Sequence, residues 1–277
     1  MSLPGEHGRL GRELTRALEL ALIAGTEVVQ LRAGNLTVDM KPGDEPVTAA
    51  DRRANELIVQ GLAESFPDVI VSEELPSDVS QLAASRLWLV DPIDGTKDFI
   101  RGGDGFAVMI GLVENGVPVL GVVHQPTIDR TFFATPDGGA HVTVGGTTSP
   151  LGVSSVASPA EARLVASASH RTPDIDRVKT ELGILDEQNV GSVGVKLCLI
   201  ALGVRDLYVN PAAKTKAWDT CAPEAILTGA GGRLSDLFGG AIRYQDELAH
   251  RRGLVASNGV LHAEVVAKLA PLFPQLA

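Results

Sequence analysis

The chain has 277 residues, of which 44% are hydrophobic, and its formal net charge at pH 7 is -10. This length and composition fit one large domain or two modest ones with a sizeable core, and they exclude a globally disordered chain. The acidic balance argues against a surface for nucleic acid polymers or anionic membranes. A small anionic ligand remains compatible with it, because bound cations reverse the local field.

The placement of the cysteines and the lack of long apolar stretches indicate where in the cell the protein is expected. Cys198 lies in an apolar run and Cys221 follows "WDT", a placement that indicates no disulfide framework. We therefore expect a reducing, cytoplasmic location. The N-terminus lacks the apolar core of a signal peptide, and no window approaches eighteen apolar residues, so stable membrane insertion is not expected.

Helical periodicity marks the beginning of the chain. Apolar residues recur at helical spacing over 9–33, which predicts an amphipathic helix that ends at Gly34. A second helix is predicted over 48–65, with Thr48 as its N-cap. Asp51 follows three residues later, at the position of a capping-box acid.

Strands dominate the next part of the chain. The runs "DVIVSEE" (68–74) and "LWLVDPIDGTKDF" (87–99) each begin as an apolar strand and end in acids. Asn115-Gly116 separates two β-rich runs, which is a strong hairpin signal. The runs "TFFAT" and "AHVTV" then continue an antiparallel sheet.

A change in composition and in predicted secondary structure near the middle of the chain suggests two halves. Residues 145–160 are rich in Gly, Ser, Thr and Pro, and beyond them strands and helices alternate. We therefore predict an α+β half over 1–148 and an α/β half over 149–277. The final helix is expected over 258–272.

Five acids interrupt apolar context, and each follows a strand or begins a helix. They are Glu73, Glu74, Asp91, Asp94 and Asp219. Strand ends are where open α/β sheets bind ligands. Taken singly, these acids also have structural explanations: a turn for Asp94, a helix cap for Asp219 and a solvated loop for Glu73 and Glu74.

Taken together, four of these acids form the donor set of a metal site. Without cations, the carboxylates of Glu73, Asp91, Asp94 and Asp219 would repel one another, whereas two Mg²⁺ would balance their charge. Such a metal pair clamps a phosphoryl group, activates a water and holds the leaving oxygen.

The residues after these acids suit a phosphate. Gly95 allows close backbone approach, and the amides at 95–96 open a predicted helix, which is a favourable place for phosphate oxygens. The Thr96 hydroxyl is suited to orient an attacking water. The sequence therefore predicts metal-assisted hydrolysis of a phosphate ester.

The motifs "SEE", "DPIDGT" and "WDTCAPEAILTGAGG", in this order, resemble the lithium-sensitive, Mg²⁺-dependent phosphatase superfamily of inositol monophosphatase. The resemblance covers roughly residues 10–265. It implies an α-β-α-β-α layered sandwich, two or three Mg²⁺, inhibition by Li⁺, and a small phosphorylated substrate. Family members occur as monomers or homodimers, so the resemblance implies one of these states.

The resemblance also implies individual metal ligands. Glu73, Asp91 and the backbone carbonyl of Ile93 would hold one Mg²⁺. Asp91, Asp94 and Asp219 would hold the second, and a third, weaker ion would lie on the Glu73 side.

The activation of water is implied for a second group of residues. Asp51 and Thr96 match positions that help to activate the nucleophilic water, together with Glu73, and Glu74 lies behind them. Asp51 therefore has two open interpretations, catalytic assistance or a purely capping role.

Within the superfamily, "DGTKDF", "WDTCAPE" and "GSVGVKLCLIALG" resemble the 3'(2'),5'-bisphosphate nucleotidases more than the inositol monophosphatases. This resemblance implies removal of the 3'-phosphate of adenosine 3',5'-bisphosphate, or of its phosphosulfate relative. The implied substrate contacts are Gly95, Thr96, His170, Lys196 and Asp219.

Alternatives remain at two levels. The chain could be an inositol-1-phosphatase, a broad sugar phosphatase, or a non-catalytic metal- or nucleotide-binding protein. His170 and Lys97 are also compatible with a solvated surface, and Lys196 with a snorkelling side chain. Asn210 stands where several nucleotidases carry an arginine, which leaves Lys214 and Lys216 as candidates to hold a second phosphate.

Overall fold

The computed structural model describes residues 3–34, 37–41, 45–76, 78–245 and 247–276. Its helices are α1 (Gly11–Ala33), α2 (Ala49–Ser65), α3 (Thr96–Ile100), α4 (Asp174–Leu182), α5 (Val193–Ala201), α6 (Ala217–Gly229) and α7 (His262–Leu269). The strands of the first half are β1 (Val38–Lys41), β2 (Glu45–Thr48), β3 (Val69–Ser72), β4 (Arg86–Asp94), β5 (Ala107–Glu114), β6 (Val117–Gln125), β7 (Arg130–Thr135), β8 (Gly139–Val144) and β9 (Thr147–Pro150). Those of the second half are β10 (Leu164–Ser167), β11 (Glu187–Val190), β12 (Leu207–Asn210), β13 (Arg233–Ser235) and β14 (Leu254–Ser257).

The strands form two main sheets and a separate β1–β2 hairpin. The larger sheet has the order β3-β4-β5-β6-β7-β8-β9, and the smaller has the order β11-β10-β12-β14-β13. In the larger sheet β3 runs parallel to β4, whereas the other neighbours are antiparallel. The carboxyl ends of β3 and β4 therefore meet at one edge.

Five layers stack in the molecule. Helices α1 and α2 cover one face of the larger sheet, α5 and α6 lie between the two sheets, and α4 and α7 cover the outer face of the smaller sheet. This arrangement confirms the expected α-β-α-β-α sandwich. Among the described helices, none combines the length and hydrophobicity that a bilayer crossing demands.

Strand β4 shows why its apolar run is uninterrupted. Trp88 and Val90 join the core formed with α1 and α2, whereas Leu87 and Leu89 point to the other face and pack in a cluster with Trp218 of α6. Side chains alternate between the faces of a strand, and here both faces are covered. The strand is thus fixed in place before it reaches Asp91.

Two local predictions are confirmed. Thr48 caps α2 by accepting hydrogen bonds from Ala50 N and Asp51 N, and the Asp51 carboxylate accepts one from Thr48 N in return. Asn115 and Gly116 join β5 to β6 with φ values of 50° and 79°. Positive φ at both central residues is what a type I′ hairpin turn requires.

Some boundaries differ from the expectation. Strand β9 still pairs with β8, so the change from one sheet to the other falls over residues 151–163, and the division at 148/149 stays a prediction. The last helix begins at His262 rather than at 258, because Asn258 is used in a loop, where its side chain accepts from Leu261 N. The short strands β1, β2, β11 and β13 carry little apolar pattern and were not expected.

Candidate active site

The acids converge because two parallel strands end side by side. Glu73 N donates to Val90 O at 3.1 Å, which places Glu73 next to the end of β4. Asp91 and Asp94 bracket a register shift in the pairing of β4 with β5, and Asp219 arrives on the first turn of α6. All four acids line one cavity of about 540 Å³.

The same cavity collects most of the other residues that the sequence singled out. Its wall includes Ile93, Gly95, Thr96, His170 and Lys196. Asp51 is not among the described wall residues: it is buried behind Thr96, with 3.3 Å between its Oδ1 and the Thr96 Oγ1. The structure therefore brings the predicted set together, with Asp51 one residue removed from the cavity.

Two of the acids also stabilise the fold. Asp94 Oδ2 accepts hydrogen bonds from Ser192 Oγ at 2.5 Å and Gly194 N at 2.7 Å, which ties β4 to the start of α5. Asp219 Oδ2 accepts from Lys216 N at 2.8 Å and so closes the first turn of α6. Each acid commits an oxygen to local structure while it lies on the cavity wall.

The charges on these acids are poorly tolerated without a cation. Burial, followed by repulsion from neighbouring carboxylates, raises the pKa of Asp91 and of Asp219 well above the usual range. Burial also raises the pKa of Glu73 to about 7, although Lys41 offsets part of the rise. The site is thus electrostatically suited to a positive ion.

Whether the residues fit Mg²⁺ depends on their chemistry and on their present orientation. Within the described ranges, no three His, Cys, Asp or Glu side chains are placed as a ready metal-binding group. Asp94 and Asp219 each use one carboxylate oxygen in the hydrogen bonds described above. The donor set itself fits, because four carboxylates and the Ile93 carbonyl are the oxygen ligands that hard divalent cations take.

Asp51 serves in two hydrogen-bond systems. Its Oδ2 accepts from Thr48 N at 2.7 Å and Thr48 Oγ1 at 2.6 Å, whereas its Oδ1 accepts from Thr96 Oγ1. The Thr96 hydroxyl also lies 3.0 Å from Ile93 O. Capping and contact with the cavity are therefore compatible in one side chain, and the catalytic role of Asp51 stays a prediction.

Gly95 is fixed by crowding as well as by backbone conformation. Its φ is 94°, and a Cβ at this position would lie 2.9 Å from Gly105 O and 3.1 Å from Ser192 N. We expect Gly95→Ala to lower the free energy of unfolding by at least about 2 kcal/mol. Denaturant unfolding of this variant measures the loss.

Gly102→Ala is the matched control for this substitution. Gly102 has a φ of 79° but nothing within 4 Å of an added Cβ, so only the backbone strain of about 1–2 kcal/mol is expected. Equal losses in the two variants would contradict the crowding at Gly95.

Two basic residues were expected to contact substrate. Lys196 is fully buried, and its Nζ donates to Val190 O at 3.2 Å and Gly191 O at 2.8 Å, so it does not snorkel at a helix edge. Burial lowers its pKa to about 8. His170 Nε2 lies 2.8 Å from Lys97 Nζ, which joins the two sides of the cavity.

Lys41 was not identified from the sequence. It lies at the end of β1, and its Nζ is 3.2 Å from Glu73 Oε1 and 2.5 Å from Glu74 Oε1, on the cavity wall. The signal that could have found it is weak: a lone lysine before Pro-Gly, in a segment with no apolar period. Its position shows that the β1–β2 hairpin contributes to the site.

Comparisons with known proteins identify the family to which this fold and acidic cavity belong. The sequence model of the inositol monophosphatase family matches residues 11–272, so the chain belongs to that family. The predicted resemblance is confirmed, including its nucleotidase side. The 3'(2'),5'-bisphosphate nucleotidase CysQ of Salmonella typhimurium is 36% identical over 236 residues, which cover 83% of this chain and 93% of that protein.

A relative with another activity is equally similar. The histidinol-phosphatase of Mycobacterium tuberculosis is 36% identical over 264 residues, which cover 93% of this chain and 97% of that protein. Among solved structures, an IMPase of Thermotoga maritima has a TM-score of 0.81 at 27% identity, covering 96% of this chain and 99% of that one. CysQ of Bacteroides thetaiotaomicron has a TM-score of 0.75 at 30% identity, covering 89% and 97%. The chain is thus a phosphatase of this family, and the relatives differ in substrate.

Proposed function

We propose that the protein is a Mg²⁺-dependent 3'(2'),5'-bisphosphate nucleotidase that releases the 3'-phosphate of adenosine 3',5'-bisphosphate and leaves AMP. The observation that carries this proposal is the composition of one cavity. Beside the four acids, its wall carries the basic side chains Lys41, Lys97, His170, Arg171, Lys196, Lys214 and Lys216. Acids suit the metal ions, and a surplus of bases suits a substrate with a second phosphate.

The metal ligands in this proposal are Glu73, Asp91, the Ile93 carbonyl, Asp94 and Asp219. Held there, two or three Mg²⁺ would supply a water reactive at neutral pH and would stabilise the charge on the phosphoryl group and the leaving oxygen.

The protein's own residues orient the reactants. The Thr96 hydroxyl donates to Ile93 O or Asp51 Oδ1, so its lone pairs are left to accept a hydrogen bond from the attacking water. Glu73 borders the same space. Lys196 and the Lys97–His170 pair add positive charge on the wall, where a nucleotide's phosphate and base would lie.

Histidinol phosphate is the second candidate substrate, because of the similarity to the mycobacterial histidinol-phosphatase. That substrate carries one phosphate and a protonated amine. Lys97, Lys214 and Lys216 on the cavity wall would repel the amine, and like-charge contacts disfavour a ligand strongly. The cavity therefore favours the bisphosphate nucleotide.

A phosphate-release panel with Mg²⁺ tests the proposal. We expect kcat/KM for adenosine 3',5'-bisphosphate to exceed that for histidinol phosphate, inositol 1-phosphate, fructose bisphosphate and NADP by at least about tenfold, a difference that one charge-assisted hydrogen bond can supply. Millimolar Li⁺ should inhibit. A tenfold preference for histidinol or inositol phosphate would contradict the substrate, and no release from any phosphomonoester would support a binding-only protein.

A further inference from the structure

The segment Lys214-Thr215-Lys216, between β12 and α6, lies on the cavity wall. Two kinds of polar group in it lack a partner in the part of the chain that the structure describes. The first is charge. Lys41 is paired with two glutamates, Arg171 is paired with two carboxylates, and Lys196 donates to two backbone carbonyls. Lys214 and Lys216 have no ion-pair partner among the residues that the structure describes. The charge of Lys214 is available to a ligand, whereas that of Lys216 also acts on Asp219, where it offsets part of the rise in pKa.

The second feature is the Thr215 hydroxyl. Thr215 is only 5% exposed, and its Oγ1 has no hydrogen-bond partner within the described parts of the chain. The segment is nevertheless held in place, since His250 N donates to Thr215 O at 2.8 Å. A buried hydroxyl without a partner costs free energy, and such a group calls for an explanation. Because Thr215 lines the cavity, its unpaired donor and lone pairs lie next to the space that a ligand would fill.

We propose that Lys214, Thr215 and Lys216 bind the substrate phosphate that is not hydrolysed. This inference rests on the proposed nucleotidase function. The acids and their metal ions would neutralise only the phosphate that reacts, so a second phosphate needs cations and donors of its own. Two lysines and a hydroxyl in one tripeptide supply them.

Asn210, at the end of β12, leads into this segment without adding a charge. The Asn210 side chain accepts from Ala212 N at 3.1 Å. Asn210 therefore shapes the turn that leads to Lys214 and carries no charge itself. The positive charge lies instead on the tripeptide.

Thr215→Val separates a ligand role from a structural one. The substitution keeps the side-chain shape and removes the unpaired hydroxyl, so the unfolding temperature of the ligand-free protein should stay the same or rise. KM for adenosine 3',5'-bisphosphate should rise about tenfold, whereas kinetic constants for adenosine 3'-monophosphate should not change. A hydroxyl that served the fold would instead lower the unfolding temperature and affect both substrates equally.

Lys214→Met tests the charge. Lys214 is exposed, so the substitution is expected to fold, and the ratio of kcat/KM between the bisphosphate and the 3'-monophosphate should fall several-fold, more at low salt than at high salt. Lys268→Met is the matched control, because Lys268 pairs with Glu264 on α7, outside the cavity wall. It should leave the ratio unchanged.

The outcomes separate the two proposals. Hydrolysis of the bisphosphate with a ratio that falls in Thr215→Val and Lys214→Met, but not in Lys268→Met, supports the second-phosphate site. Hydrolysis of the bisphosphate with an unchanged ratio in both variants overturns that site and leaves the nucleotidase function standing. No hydrolysis of the bisphosphate by the wild-type protein overturns the function, and the second-phosphate site with it.

Discussion

Replacing Asp94 with asparagine is expected to lower turnover by at least about 100-fold while the protein stays folded. The amide keeps the size of the side chain and an oxygen that can accept from Ser192 Oγ and Gly194 N, so the link from β4 to α5 can persist. One of the four negative charges of the proposed metal site is lost. Phosphate release at saturating Mg²⁺, with a thermal unfolding scan of the same sample, measures both parts.

The direction in which Asp94→Asn changes the unfolding temperature gives a second check on the metal role of Asp94. Burial raises the pKa of Asp94, which means that its charged form is unfavourable in the metal-free protein. Neutral asparagine should therefore not lower the unfolding temperature without metal. Asp129→Asn is the matched control, since Asp129 is exposed in a turn with a φ of 45° that asparagine also tolerates. Near wild-type turnover in Asp94→Asn would remove Asp94 from the metal site.

Removing Mg²⁺ with a chelator is expected to bring turnover to background, and Mg²⁺ should stabilise the fold more at about pH 8 than at about pH 5. The pKa of Glu73 rises from 4.5 to about 7 in the folded, metal-free protein. Between these values the folded state binds more protons than the unfolded one, so the metal-free stability falls as the pH rises. Mg²⁺ binds the deprotonated acids and relieves their repulsion. Its stabilisation of the fold should therefore increase as the pH rises through the same range.

The difference between unfolding temperatures with Mg²⁺ and with chelator is the proper measurement. Burial lowers the pKa of His124, His250 and His262 to about 4, so each protonates more readily in the unfolded state and contributes stability that is lost as the pH falls below about 6.5. These groups act alike in both samples and cancel in the difference. A difference that is constant, or largest in acid, would contradict an ion held by these carboxylates.

Much of the site was predictable because its signals are local. An apolar strand that ends in acids, a capping-box spacing of three residues from Thr48 to Asp51, and an Asn-Gly turn each depend on a few neighbouring residues. The family motifs added the order of the distant acids. These features predicted the five layers and the shared location of Glu73, Asp91 and Asp219, which line one cavity.

The remaining features depend on contacts that no local pattern encodes. Asp94 accepts from Ser192 and Gly194 across about a hundred residues of chain, and Lys41 reaches the glutamates from a separate hairpin. Burial of Lys196 against two backbone carbonyls follows from how α5 packs between the sheets. Such contacts are consequences of the assembled layers, so their residues were identified only by type, or not at all.

The bond from Asp94 to the start of α5 has a consequence for how the active state forms. Asp91 and Asp94 lie on β4 of the larger sheet and Glu73 directly follows β3, whereas Asp219 and Ser192 belong to the helices between the sheets. A partly folded chain with only the larger sheet would hold three of the four acids and lack a complete ion site. An ion that binds only when the helices between the sheets are packed on the larger sheet would stabilise that packing. It would therefore suppress local unfolding at the contact between these helices and the sheet. Amide exchange in α5 and in the first turn of α6 should therefore slow when Mg²⁺ is added, before exchange in α1 and α2 responds.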